Sequence, residues 1–202
     1  MSLGDPYATL IELKARLGLT DTSDDARLTS ALATASRGIE KECHRQFNDA
    51  GTATTRVFSP ESARLVKIDD FSTTTGLVIA VDRSDTGTYG ETWTAADYQL
   101  KPLNGVVDGE AGWPFWKIEA VQRHFPCWWR RPPVQVTARW GWAAVPAPVK
   151  EACLVVASEI FKLRDAPFGV AGYGDYGPVR VRQNPIACAM IAPYKRDAVL
   201  VA

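Results

Sequence analysis

Val134-Gln-Val-Thr-Ala-Arg-Trp-Gly-Trp-Ala-Ala-Val-Pro-Ala-Pro-Val-Lys-Glu-Ala-Cys-Leu-Val-Val-Ala-Ser-Glu-Ile-Phe-Lys-Leu-Arg164 is the stretch on which the fold turns. Val134, Val136, Ala138 and Trp140 alternate with Gln135, Thr137 and Arg139, the period-two pattern of a half-buried strand, and the pattern stops at Gly141. Pro146 and Pro148 then open a strongly apolar stretch of helical period, where a missing amide costs little. A strand is handed directly to a core helix. Near the other end, residues 23–47 carry a second long helical stripe, Leu28, Leu32, Ala35, Ile39, Cys43 and Phe47, spaced by four or three throughout. Two helices therefore bracket a β-rich middle.

The remaining elements fall around that frame. Thr9-x-x-Glu12 is a capping box at the head of a short helix over residues 9–17, with Leu10, Leu13 and Leu17 on one face and Gly18 as its stop. The helix over 148–164 carries two stripes, Val149, Cys153, Val156, Ile160 and Leu163 beside Leu154, Ala157 and Phe161. That width requires burial on two sides, either centrally in the fold or against another subunit. Asn184 and Pro185 begin a last helix over 185–192. Strands are predicted over 54–58, 64–68, 77–82, 97–101, 116–122 and 134–140, separated by Gly-bearing turns, as an antiparallel meander or small barrel. The fold class so read is α+β: one domain, 1–202, with about four α-helices in a bundle and an antiparallel β insertion, 52–142, between helices two and three. A Gly- and Tyr-rich run over 166–183 reads as a flexible arm. Residues 168–202 together read as a docking segment whose removal spares the fold.

At 202 residues, with 46% hydrophobic and 23% charged residues, the chain has the composition of a globular protein that folds on its own core. Its formal net charge of +0 supplies no global pull toward nucleic acid or acidic membranes. The four cysteines, Cys43, Cys127, Cys153 and Cys188, are widely spaced and read as buried thiols in a reducing compartment. The first residues lack a basic region followed by an apolar run, and no stretch is apolar enough to span a bilayer, so neither a secretory signal nor a membrane partner is expected.

Catalytic and metal motifs are missing from the sequence. His44 and His124 lie far apart, no Gly-x-Ser-x-Gly, His-Glu-x-x-His or Gly-Lys-Ser/Thr pattern occurs, and no Cys-x-x-Cys pair exists. Neither enzyme, metal nor cofactor is expected. The aromatic clusters Trp113-Pro-Phe-Trp116, Trp128-Trp-Arg-Arg131 and Trp140-Gly-Trp142 suit either a core or a protein interface, where Trp and Arg dominate binding energy. Stacking on single-stranded nucleic acid is the alternative reading of the Trp/Arg-rich segment, and sugar binding or hydrolysis a third. No basic stripe is visible along the sequence.

The start Tyr7-Ala-Thr-Leu-Ile-Glu-Leu-Lys-Ala-Arg-Leu-Gly18, the helix from Asp24 to Phe47 and the Gly141-Trp142…Val145-Pro146…Val149-Lys-Glu-Ala152 passage occur in an order and spacing that resemble the tailed-phage head-to-tail connector (adaptor) family. The resemblance implies a structural virion subunit, made in the host cytoplasm and placed in the neck between capsid and tail. It implies a homomeric ring, twelve copies under the portal protein, that meets a tail-side head-completion or stopper protein and passes DNA through its lumen without reading sequence. The interfacial residues expected are Trp128, Trp129, Arg130 and Arg131 toward a neighbouring subunit, and Phe168, Tyr173, Tyr176, Ile186, Met190 and Ile191 toward the docking partner.

Overall fold

The computed structural model describes residues 4–127, 130–163 and 184–196, and the chain divides into two compact units. One is helical and built from both ends of the chain; the other is the β-rich excursion from Asn48 to Ala144.

The helical unit contains α1 (Leu10–Leu17), α2 (Asp25–Cys43), α3 (Ala147–Lys162) and α4 (Pro185–Ile191). The capping box at α1 forms as its sequence dictates: Glu12 N donates to the Thr9 hydroxyl at 3.2 Å and Thr9 N to the Glu12 carboxylate at 2.8 Å. Every residue of the predicted α2 stripe is buried, although the helix ends at Cys43, where His44 turns left-handed at φ 51°, and Phe47 reaches the core from the segment beyond. Wide burial along α3 has its cause within this unit, because α3 packs against α1, α2 and α4. Tyr7 ties the unit together: its amide donates to Ser36 Oγ at 3.0 Å, its hydroxyl donates to Glu40 at 2.5 Å, and it accepts the Phe47 amide at 3.2 Å. Burial, aided by the hydrogen bond to Glu40, pushes the Tyr7 phenol far above its ordinary range.

The second unit contains β1 (Thr54–Phe58), β2 (Leu65–Phe71), β3 (Val78–Val81), β4 (Glu91–Trp93), β5 (Tyr98–Lys101), β6 (Val106–Val107), β7 (Glu110–Ala111), β8 (Phe115–Ala120) and β9 (Val134–Ala138). A four-stranded sheet runs β1-β9-β3-β4, a three-stranded sheet β2-β8-β5, and β6 and β7 form a small hairpin. All pairings are antiparallel. A bridge between Phe71 and Trp140 joins the two larger sheets, and their inner faces share one core of Val66, Ile68, Ile79, Ile118, Val136 and Trp140 among others. Its ends meet at Gly141, whose φ of +101° and contact with the Asn48 carbonyl leave no space for a side chain. Trp140 O accepts the Ala50 amide at 2.8 Å, and Gly141 N donates to Asp70 O at 2.6 Å.

These observations correct the expected architecture. The described residues hold four α-helices and nine strands in three antiparallel sheets, so the chain is mixed and sheet-rich rather than a four-helix bundle with a β insertion. Residues 48–144 enclose their own hydrophobic core, which is what makes a unit rather than an appendage. Nor is the sheet a meander, since the last strand, β9, lies between β1 and β3. The docking-segment expectation changes as well. Ala187 and Ile191 are buried, Tyr194 stands edge-on to Phe47 at 6.0 Å, and Arg196 N donates to Cys43 O at 2.9 Å, so residues 184–196 belong to the helical core.

Candidate assembly surfaces

Arg130 and Arg131 are both exposed, on the segment that leads into β9. Arg131 is held against the β3–β4 turn, where its Nη1 donates to the Thr86 carbonyl at 3.1 Å, and the Tyr89 hydroxyl donates to Pro132 O at 2.9 Å. Asp82 organises that turn by accepting the amides of Ser84 at 2.9 Å and Gly87 at 2.6 Å. Although burial opposes it, these amides hold the Asp82 carboxyl below its usual range. Beside it runs an ionic chain. Glu91 takes Arg83 Nε at 2.7 Å, Arg123 Nη1 at 2.6 Å and the Trp93 indole at 2.9 Å, while Arg123 Nε reaches Asp97 at 2.8 Å. Arg83 above all, against the effect of burial and with Arg123 and Trp93 adding to it, brings the Glu91 carboxyl down to about 2. A charged, well-bonded rim of this kind fixes orientation more than it supplies affinity.

The outer face of the four-stranded sheet is of the opposite character. Thr55, Thr137 and Val78 lie in register across β1, β9 and β3, and Val57, Gln135, Ala80 and Thr92 form the next rank. None of these seven is charged, and Val57 and Val78 are 47% and 45% exposed. Sequence periodicity assigned these residues, Thr92 excepted, to strands but could not show that they share one face, because register is set by pairing between distant segments.

On α4, Ile186 is 60% exposed, Met190 is partly buried, and Ile191 is fully buried inside the helical unit. Trp128, Trp129, Phe168, Tyr173 and Tyr176 lie outside the described residues. Of the other tryptophans, Trp93, Trp113, Trp140 and Trp142 are buried and Trp116 is partly buried. Trp140 donates its indole N–H to Thr54 O at 2.9 Å and Trp142 to Asp70 at 3.1 Å, so both serve the β core. Among the described residues no three His, Cys, Asp or Glu side chains are grouped to hold a metal ion, and no helix is long and apolar enough to cross a membrane.

Residues 7–81 match the model of the phage gp6-like head-tail connector protein family. That match spans just over a third of the chain and includes its start and α2, where the resemblance was drawn, so this part of the chain is similar to that family. No protein of curated function matches it by sequence. Among solved structures, it is similar to a chain in the neck of an empty gene transfer agent particle computed with six-fold symmetry, at 21% identity and a TM-score of 0.56 over 96% of this chain and 91% of that one. A chain in the neck of the native particle computed with twelve-fold symmetry gives 17% identity and 0.55 over the same shares. One in the virion of the native particle gives 18% and 0.56, again over 96% and 91%. At these identities the likeness establishes a shared fold.

Proposed function

We propose that this chain is a ring subunit in the neck of a tailed particle, twelve copies joining the portal to a tail-side protein around a DNA-bearing lumen. The match of residues 7–81 to the connector family carries the reading. The symmetric necks of its structural neighbours support it, since identical subunits that meet through two different surfaces close into rings when the rotation permits. Both units act together as one connector subunit. The uncharged face of β1, β9 and β3 suits a protein neighbour, because the centres of such interfaces are depleted of charge. Arg130, Arg131 and the adjoining Trp128 and Trp129 serve the same contact, and Phe168, Tyr173, Tyr176, Ile186 and Met190 engage the docking partner, with Ile191 anchoring α4 from inside. The role is structural and involves no turnover. Imaging of the assembled particle tests it: a closed ring of this protein between capsid and tail is expected, and finding isolated copies or a two-fold dimer would overturn it.

A further inference from the structure

The outer face of the three-stranded sheet carries a feature that the sequence conceals. Lys67 of β2 stands directly opposite Lys117 of β8, and Lys117 directly opposite Lys101 of β5, so three lysines form one rank across the sheet. On the inner side the neighbouring rank is Val66, Ile118 and Leu100, packed in the core, which fixes the lysines outward. Strand spacing sets them at intervals of about 4.8 Å. Like charges directly opposite one another destabilise a sheet. The outer two are offset by carboxylates, Lys67 by Glu61 at 2.6 Å and Lys101 by Glu119 at 3.3 Å. Lys117, between them and only partly exposed, has no carboxylate within ion-pair distance among the described residues.

We propose that the rank Lys67–Lys117–Lys101 is a contact surface for the phosphate backbone of duplex nucleic acid. Lysines are compact point charges on flexible stems, suited to a line of phosphates, and they are depleted from protein–protein interfaces. The lysine-bearing face offers no aromatic ring in the rank or in the rank of Leu65, Glu119 and Gln99, and the pair on the other side, Phe71 and Phe115, packs into the core, so the face lacks the stacking platform that single strands require. With a formal net charge of +0 the chain as a whole supplies no general attraction, so binding depends on a local basic surface such as this one. One subunit holds the backbone weakly; repetition around a ring would multiply the grip, and for that setting alone the inference rests on the connector reading.

The test is an amide-resolved NMR titration of the full chain with a short DNA duplex at low salt. Shifts should cluster at Lys67, Lys101 and Lys117 and weaken as salt rises, with a logarithmic slope of about 0.9 per phosphate engaged. Lys117→Gln should weaken binding severalfold and lower that slope by about one, while its melting temperature stays level or rises as like-charge repulsion is relieved. Shifts that map elsewhere, or binding that Lys117→Gln leaves unchanged, overturn the proposal. So does a polyglutamate peptide that produces the same shifts at lower concentration, which would assign the face to an acidic protein. Because the measurement uses the isolated chain, failure of the ring reading, seen by particle imaging, leaves this result standing and separately readable.

Discussion

Replacing Gly141 by alanine should destabilise the β unit severely, and the structure says why. A Cβ at this position would sit 1.7 Å from the Asn48 carbonyl oxygen and 2.7 Å from its carbon, and both are backbone atoms that cannot rotate away. Relief requires the two ends of the unit to part. Overpacking of this kind costs about 1–3 kcal/mol, and placing an L side chain at positive φ adds about 1–2 kcal/mol. Separation also endangers the Gly141–Asp70 and Ala50–Trp140 hydrogen bonds, worth about 1 kcal/mol each. The expected loss is about 3–6 kcal/mol, a large part of the 5–15 kcal/mol of a typical domain. Gly112→Ala is the control, because Gly112 has a similar φ of +93° but nothing within 4 Å of its Cβ position. It isolates the conformational cost, about 1–2 kcal/mol. Urea unfolding followed by near-ultraviolet circular dichroism reads both variants. If Gly141→Ala comes within about 1 kcal/mol of Gly112→Ala, the clasp between entry and exit is not the constraint described.

Three further outcomes follow from the geometry. Glu91 is depressed from 4.5 to about 2, so its stabilisation is complete above pH 4.5 and is lost as pH falls from there through 2. The shift caps its worth at about 3 kcal/mol, and solvent screening brings that nearer 1; urea midpoints across this window should depend less on pH in Glu91→Gln than in the parent. Tyr7→Phe removes the hydroxyl that accepts the buried Phe47 amide and donates to Glu40, so the helical unit should lose about 1–3 kcal/mol in the same assay, and a neutral result would refute the bridging role. Truncation after residue 183 removes α4 and Tyr194 and should abolish cooperative melting of the helical signal; an unchanged melt would show that α4 is dispensable.

The helices were legible in the sequence because their signals are local. Thr9 with Glu12, Asn184 with Pro185, and the α2 stripe each declare themselves within one or a few turns. Six of the nine strands showed enough alternation to be located, while β4, β6 and β7, two or three residues long, carry too few positions to display a period. Pairing was not legible at all. Nothing in residues 134–138 announces that they insert between residues 54–58 and 78–81, since that choice is made by the fit of distant side chains in a shared core. The lysine rank was hidden for the same reason: each strand contributes one lysine, and only register lines them up. For the tryptophans the sequence left core and interface as two options, because burial of Trp140 and Trp142 depends on partners, Thr54 and Asp70, far away in the chain.

The place of residues 48–144 within the chain also bears on how the protein folds. The partners of α1 and α2 lie beyond that excursion: Arg16 pairs with Glu151, Ser36 meets Cys153 at 3.3 Å, and Lys195 reaches Glu42 at 2.6 Å. Part of the apolar surface of α1 and α2 therefore finds its cover only in α3, which comes after the excursion in the chain. The intervening unit is complete once Gly141 has met Asn48, and by then a slack tether of nearly a hundred residues has become a short, closed span. Joining the helices across such a span costs about 2 kcal/mol less than across the slack chain. The clasp at Gly141 thus sets the length of the loop across which α2 and α3 meet.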